Sequence, residues 1–201
     1  MTKQSHLLNL LAVTFVLLSS DSLGVKAAQP MDFGLQNPAD LTSSSQSSAA
    51  LRDIVASGKL PDLRWPDFSD YRIYLKNFYE PTGYALVWLR NNQPTQQAQA
   101  IIEVLQQADS KGLNAEDYDG PRWPERLARL RQSATQEYQA QFDAALTVSV
   151  MRYISDLHIG RVNPVRLKFN LEAGPKKYDL PLLLGEKLVN GADIRAELDR
   201  V

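Results

Sequence analysis

The residue types on which most covalent catalysis depends are scarce in this sequence. It contains no cysteine, so it offers no thiolate nucleophile, no thiolate metal ligand and no disulfide. Of its two histidines, His6 lies in an apolar leader and only His158 follows that leader, with no carboxylate cluster beside it in sequence. The sequence also lacks a G-x-S-x-G elbow and a glycine-rich phosphate loop. We therefore expect no catalytic residue, no metal site and no cofactor.

Paired carboxylates are the remaining route to catalysis, because two carboxyl groups that face one cleft can hydrolyse a glycosidic bond. Glu116 and Asp117 are adjacent, which is typical of a helix start that complements the helix dipole. Asp143 and Asp156 fall on one long predicted helix, where their spacing separates them by about 20 Å. A carboxylate-dependent hydrolase stays a hypothesis, but no pair has the spacing it needs.

Binding is the chemistry that the other polar and aromatic residues offer. Arg161 follows a predicted helix end, where its guanidinium can satisfy helix carbonyls or bind a carboxylate of a ligand or neighbouring domain. Tyr84, Trp88 and Trp65 can stack against a sugar or belong to the core. The candidate docking or binding residues are Arg161, Trp88, Tyr84, Asp143 and Arg152. Arg152 has a second interpretation, an ion pair with Asp156 one turn along the helix.

Helical periodicity predicts the elements that carry these residues. The longest helix is expected over residues 135–158 and should be the central core helix. A second helix is expected from Gln96 to about residue 110, capped by Thr95 and ended by Gly112. A third should open with Asp67 as its N-cap and stop before Pro81. One or two closing helices are expected over residues 182–189 and 192–198.

The predicted fold class is mainly α, a compact bundle-like scaffold with at most one or two short strands. Residues 84–89 are the best strand candidate, although extended backbone without a sheet partner also fits them. A hydrophobic content of 44% is enough for a core, and a net charge of −1 disfavours nucleic acid as a partner.

The first segment has the features of an export signal. Lys3 precedes the apolar residues 7–18, and small residues around Ala27 suit a signal peptidase. The apolar run would rise about 18 Å as a helix, which is short of the roughly 30 Å membrane core. We expect a signal peptide over residues 1–27, with an uncleaved membrane anchor as the alternative. Residues 28–48 are expected to be a flexible serine-rich linker, and residues 49–201 the folded domain.

A series of short motifs follows a common order along the predicted domain. They are Phe78-Tyr79, Gly83-Tyr84 with Trp88, the G-L-x-x-x-D-Y run over residues 112–118, the F-D-x-x-L run over residues 142–146, Arg152-Tyr153, and the G-R-V-x-P run over residues 160–164. In this order and spacing, over about residues 66–200, the sequence resembles the scaffold portion of the large multi-domain bacterial L,D-transpeptidases.

The resemblance implies a scaffold without chemistry of its own. The family's cysteine, in an S-x-G-C-x-R context on a separate catalytic domain, has no counterpart here. The chain is therefore expected to be truncated before the peptidoglycan-binding and catalytic domains, and to pack against an L,D-transpeptidase catalytic domain. Its signal segment and the family resemblance together predict export to the periplasm or cell envelope. The alternative is a stand-alone periplasmic module that binds peptidoglycan or another protein.

Overall fold

The computed structural model describes residues 38–159 and 179–200, with side chains described over residues 44–158 and 179–200. The helices are α1 (Pro38–Ser57), α2 (Arg72–Tyr79), α3 (Gln96–Gln106), α4 (Trp123–Gln132), α5 (Gln136–Ile159), α6 (Leu180–Leu183) and α7 (Ile194–Asp199). A π-helical segment, Leu184–Val189, continues α6, and short 3-10 turns occupy Glu80–Thr82, Ala108–Lys111, Ala115–Tyr118 and Gly120–Arg122. The predicted signal peptide and Arg161 lie outside the described residues.

The mainly α fold class is confirmed. Its sheet is a minimal antiparallel hairpin of β1 (Leu89–Arg90) and β2 (Gln93–Pro94), in which Leu89 lies opposite Pro94. None of the helices in the described ranges combines the length and apolarity that a membrane crossing requires.

Helix α5 lies at the centre of the core, as its periodicity predicted. It begins and ends within one residue of the expected bounds. Every residue from Phe142 to Met151 is buried, including Asp143 and Thr147. A helix that is buried on all of its faces must be surrounded by other elements, and α1 packs along much of it. Helix α5 is therefore the central helix of the core, against which α1, α3 and α4 pack.

Helix α1 begins earlier than the sequence predicted. We expected a flexible linker up to residue 48, but the helix starts at Pro38. Serine has modest helix propensity, yet tertiary packing overrides propensity. Leu51 and Val55 are buried in the core, and Ser47 is buried with its hydroxyl donating to the carbonyl of Ser44.

The prediction that Asp67 caps a helix is wrong. Its carboxylate accepts a hydrogen bond from the Ser69 amide at 2.9 Å, which forms a local turn, and α2 starts only at Arg72. The reason is tertiary: Asp67 lies in an isolated antiparallel bridge with Lys59, and the next amide, that of Phe68, donates to the Gly58 carbonyl at 2.8 Å. Extended pairing therefore replaces the first turn of the expected helix.

The predicted strand over residues 84–89 is confirmed only at Leu89. Gly83 and Tyr84 both adopt positive φ, 64° and 62°, which turns the chain away from strand geometry. The amides of Val87 and Trp88 then donate to a side chain rather than to a neighbouring strand. The segment is a turn at Gly83 and Tyr84 followed by bends at Val87 and Trp88, so neither a strand nor continuous extended backbone describes it.

Candidate functional site

Asp143 is a buried carboxylate that joins three parts of the molecule. Its side chain is 0% exposed. The Tyr79 hydroxyl, from the end of α2, donates to Oδ1 at 2.7 Å. The amides of Val87 and Trp88 donate to Oδ2 at 3.0 and 2.8 Å. A buried charge is tolerated when it accepts this many hydrogen bonds, so Asp143 fastens the loop over residues 84–88 and α2 to α5.

Thr147, one turn further along α5, completes the arrangement. Its hydroxyl accepts from the Trp88 indole N–H at 2.8 Å, contacts the Tyr79 hydroxyl, and donates to the Asp143 carbonyl at 3.1 Å. We call Tyr79, Asp143, Thr147 and the Val87–Trp88 backbone the Asp143 cluster. Its polar groups satisfy one another in the absence of solvent.

Burial is the largest influence on the pKa values of Asp143 and Tyr79 in this cluster. It raises the pKa of Asp143 to about 6, against the opposing effect of hydrogen bonds from Tyr79, Trp88 and Val87. Burial, followed by the Asp143 charge, holds the pKa of the Tyr79 hydroxyl well above its ordinary value. At neutral pH Asp143 is therefore ionised beside a protonated tyrosine. A carboxylate with no exposure cannot reach a substrate, so the cluster positions the loop.

The loop that the Asp143 cluster holds forms one wall of an apolar groove of about 610 Å³. The α2–α6 groove is lined by Asn77, Phe78, Pro81, Thr82, Ala85, Leu86, Val87, Arg90, Asp179, Pro181, Leu182, Gly185, Val189 and Asn190. Leu182 on α6 is 54% exposed. A large apolar side chain beside an apolar depression is a feature of protein docking surfaces.

Arg152 lies at a second depression. One nitrogen of its guanidinium, Nη2, donates to the carbonyls of Trp65 and Asp67 at 3.1 and 3.0 Å. Asp156, its expected ion-pair partner, accepts from the Tyr118 hydroxyl at 2.7 Å. Arg152 therefore fixes the backbone that carries Trp65.

This second depression, the Trp65 cleft, has a volume of about 390 Å³. It is lined by Trp65, Asp67, Asp70, Tyr71, Asp117, Tyr118, Arg152 and Asp156. Hydrogen bonds from the side chain and backbone of Ser69 lower the pKa of Asp67, so this carboxylate is an ionised acceptor at neutral pH. Among the described residues, no group of histidine or carboxylate side chains is arranged to hold a metal ion.

The structure separates the residues that the sequence proposed for one aromatic platform. Trp88 is 0% exposed and Tyr84 8%; both are core residues, and Tyr84 stacks on Tyr79 with ring centroids 6.5 Å apart. A surface docking role for Trp88, Tyr84 and Asp143 is thus wrong, because all three are buried. Only Trp65, at 51% exposure, remains on the surface.

Of the candidate residues, Arg152 alone reaches a cleft in the described part of the chain. Sequence reasoning missed Leu182, because it lies in a run of leucines (residues 180–184) whose periodicity does not show which of them faces the core.

Comparisons with known proteins give one match. A family model described as "Scaffold domain" matches residues 74–201. No curated protein and no solved structure matches the chain. The matched range contains every residue that lines the α2–α6 groove, whereas the Trp65 cleft is lined partly by residues that precede it, Trp65, Asp67, Asp70 and Tyr71.

Proposed function

The chain belongs to the Scaffold domain family, and on that basis we propose that it is the non-catalytic scaffold or docking portion of an exported L,D-transpeptidase that takes part in peptidoglycan cross-linking. The match spans the motifs by which the sequence resembles the L,D-transpeptidase scaffold, from Phe78-Tyr79 onwards. The chain has no cysteine, so the acyl exchange would be carried out by a catalytic domain that this sequence does not contain.

The α2–α6 groove is the surface on which that catalytic domain would dock, and it is the observation that carries the proposal. Its lining is largely apolar, and Leu182 is presented to solvent at its edge. Burying the exposed half of this side chain removes apolar surface from water and is worth about 1 kcal/mol. Leu182 is therefore the expected anchor of the contact.

The Asp143 cluster explains why this surface would hold its shape without a partner. The amides of Val87 and Trp88 are fixed by a buried carboxylate on the central helix, and Val87 itself lines the groove. A surface that is already ordered loses less conformational entropy on binding than a mobile one. The buried polar residues would thus serve docking indirectly, through the loop.

A binding measurement with two matched variants tests the proposal. The probes are the cysteine-containing L,D-transpeptidase catalytic domains from the same genome, each purified and titrated against the chain by biolayer interferometry. We expect one of them to bind, and Leu182→Asp to weaken that binding at least about tenfold, since a charge replaces a buried anchor.

Trp65→Asp is the matched control. It places the same charge on a side chain of similar exposure, 51% against 54%, outside the groove. It should leave the affinity unchanged. Absence of binding to any of the catalytic domains, or equal losses in the two variants, would refute docking at the groove.

A further inference from the structure

Trp65 is a large aromatic side chain held on the surface by a backbone that is not free to move. Its side chain is about half exposed, while the segment around it is hydrogen-bonded on both sides. These bonds are Leu60 N–H to Pro66 O (2.9 Å), Phe68 N–H to Gly58 O (2.8 Å), Arg64 N–H to Asp119 Oδ1 (2.7 Å), and the two bonds from Arg152. An exposed tryptophan on a fixed backbone is preorganised to stack a ligand.

One face of the indole is already used. The Arg64 guanidinium carbon lies over the Trp65 ring, 5.5 Å from its centroid, in a cation–π contact. Trp65 also lines the Trp65 cleft and is 51% exposed, so part of its ring surface is accessible to a ligand that enters there. A flat apolar ligand surface would stack on it.

The other walls of the cleft are acceptors with fixed positions. The Asp67 carboxylate is held by Ser69, and Asp156 is held by the Tyr118 hydroxyl at 2.7 Å. Asp70 is exposed at the rim. Carboxylates accept hydrogen bonds from hydroxyl groups strongly and from two directions. The cleft thus combines one stacking platform with several hydroxyl acceptors.

We propose that the Trp65 cleft binds an uncharged saccharide, whose ring stacks on Trp65 and whose hydroxyl groups donate to the carboxylates of Asp67, Asp70 and Asp156. A pyranose has an apolar C–H face and a rim of hydroxyl donors, and these two features match the two kinds of wall. The volume of about 390 Å³ admits one or two sugar rings rather than a protein element.

The charge of the cleft narrows the ligand class. Its walls carry four carboxylates, Asp67, Asp70, Asp117 and Asp156, and one guanidinium, that of Arg152. An acidic saccharide would therefore be repelled, because like charges at close range destabilise the complex. A neutral glycan is accepted and a uronic-acid glycan is excluded.

The three tryptophans make the test direct. Trp88 and Trp123 are 0% exposed, with indole N–H groups bonded to the Thr147 hydroxyl and the Tyr118 carbonyl. In a ¹H–¹⁵N spectrum of the full chain, the Trp65 indole signal should move most on titration with chitotetraose or cellotetraose at about 5 mM, where a millimolar Kd is measurable. A hyaluronan tetrasaccharide should move none of the three.

Two variants distinguish binding at this cleft from non-specific effects. Trp65→Ala should weaken the affinity for the neutral tetrasaccharide about tenfold or more, measured by calorimetry, because the stacking surface is lost. Leu182→Ala removes an apolar side chain that is as exposed as Trp65 but lies in the α2–α6 groove. This variant should bind the saccharide with the same affinity as the wild type.

The proposal fails if neither neutral tetrasaccharide shifts the Trp65 indole, or if Trp65→Ala binds as well as the wild type. It also fails if Trp65→Asp abolishes binding of a catalytic domain, since the cleft would then be a protein interface. Docking at the groove does not depend on any of these saccharide results, so the two proposals can fail separately.

Discussion

The burial of Asp143 links the protonation of its carboxylate to the stability of the fold. Its pKa is raised from 3.8 to about 6, so folding disfavours the ionised form. A group whose folded pKa is raised contributes stability that is fully present below its unfolded pKa and is lost as pH rises through the folded pKa. The relevant window for Asp143 therefore runs from about pH 4 to about pH 6.

We predict that Asp143→Asn removes this pH dependence. In the wild type the contribution of Asp143 to the free energy of unfolding should fall by about 2 kcal/mol between pH 4 and pH 7. An asparagine can accept from the Val87 and Trp88 amides and donate to Tyr79, as the protonated acid would. Urea unfolding at several pH values measures the slope, with Asp53→Asn, on the exposed side of α1, as control. An unchanged slope in Asp143→Asn would contradict this account.

Thr147 provides a separate test of the same cluster. Thr147→Val keeps the shape of the side chain but leaves the Trp88 indole N–H, now 2.8 Å from the Thr147 hydroxyl, without its acceptor. A buried donor without a partner costs about 1–3 kcal/mol, so we expect a loss of about 2 kcal/mol in urea unfolding. Thr147→Ser retains the hydroxyl and should lose less. If the two variants were equally destabilised, packing rather than hydrogen bonding would explain the effect.

Helix α1 starts earlier than its local sequence indicates, and its packing against α5 is the reason. The helix precedes the range that matches the family model, yet it packs extensively against α5. Its inner face contributes Leu51, which has no exposure. Helix α1 is therefore part of the same core as the matched residues.

Truncating that inner face should be costly. Leu51→Ala removes a fully buried side chain and leaves a cavity, for which we expect a loss of about 3 kcal/mol in the free energy of unfolding. Asp53→Ala, on the exposed face of the same helix, should change it by less than about 0.5 kcal/mol. Both are measured by urea unfolding of the full chain. Similar small losses in both would mean that α1 is dispensable to the core.

Helical periodicity predicted α5, but it could not show which residues form hydrogen bonds with the side chain of Asp143 on that helix. The three-to-four spacing placed α5 within one residue at each end, and the Thr95 cap was also confirmed. The expected end of the second helix was wrong: α3 ends at Gln106, and Gly112 caps the separate 3-10 turn Ala108–Lys111. The partners of Asp143 lie more than fifty residues away in sequence. Without the fold, a buried Asp143 looks like any aspartate on a helix surface.

Tertiary contacts also explain the wrong boundary at Asp67 and the misplaced aromatic platform. Asp67 has the residue type of a helix cap, but pairing between residues 58–60 and 66–68 takes precedence. Trp65 and Trp88 are the same residue type, and only the fold shows that one is exposed and the other enclosed. Residue type predicts the chemistry of a side chain; its accessibility depends on distant neighbours.

For the whole molecule, the proposed role makes a prediction about another protein. A ligand that binds only the folded state stabilises it by an amount that grows with its concentration, about 2.7 kcal/mol at a hundred times Kd. If the chain docks through the α2–α6 groove, it should stabilise a bound L,D-transpeptidase catalytic domain in this way. The chain alone, which contains no cysteine, should form no cross-links between muropeptides.

The measurement is the half-life of cross-linking activity when the catalytic domain is heated with or without the chain. Thermal inactivation of the catalytic domain follows its rate of unfolding. Contacts at the groove that are lost before the unfolding transition state slow that rate. Docking should therefore lengthen the half-life of activity at least about threefold. Leu182→Asp should remove the protection, and Trp65→Asp should keep it, because only Leu182 lines the groove. Protection that survives Leu182→Asp would place the contact elsewhere on the molecule, and cross-linking by the chain alone would contradict a scaffold role.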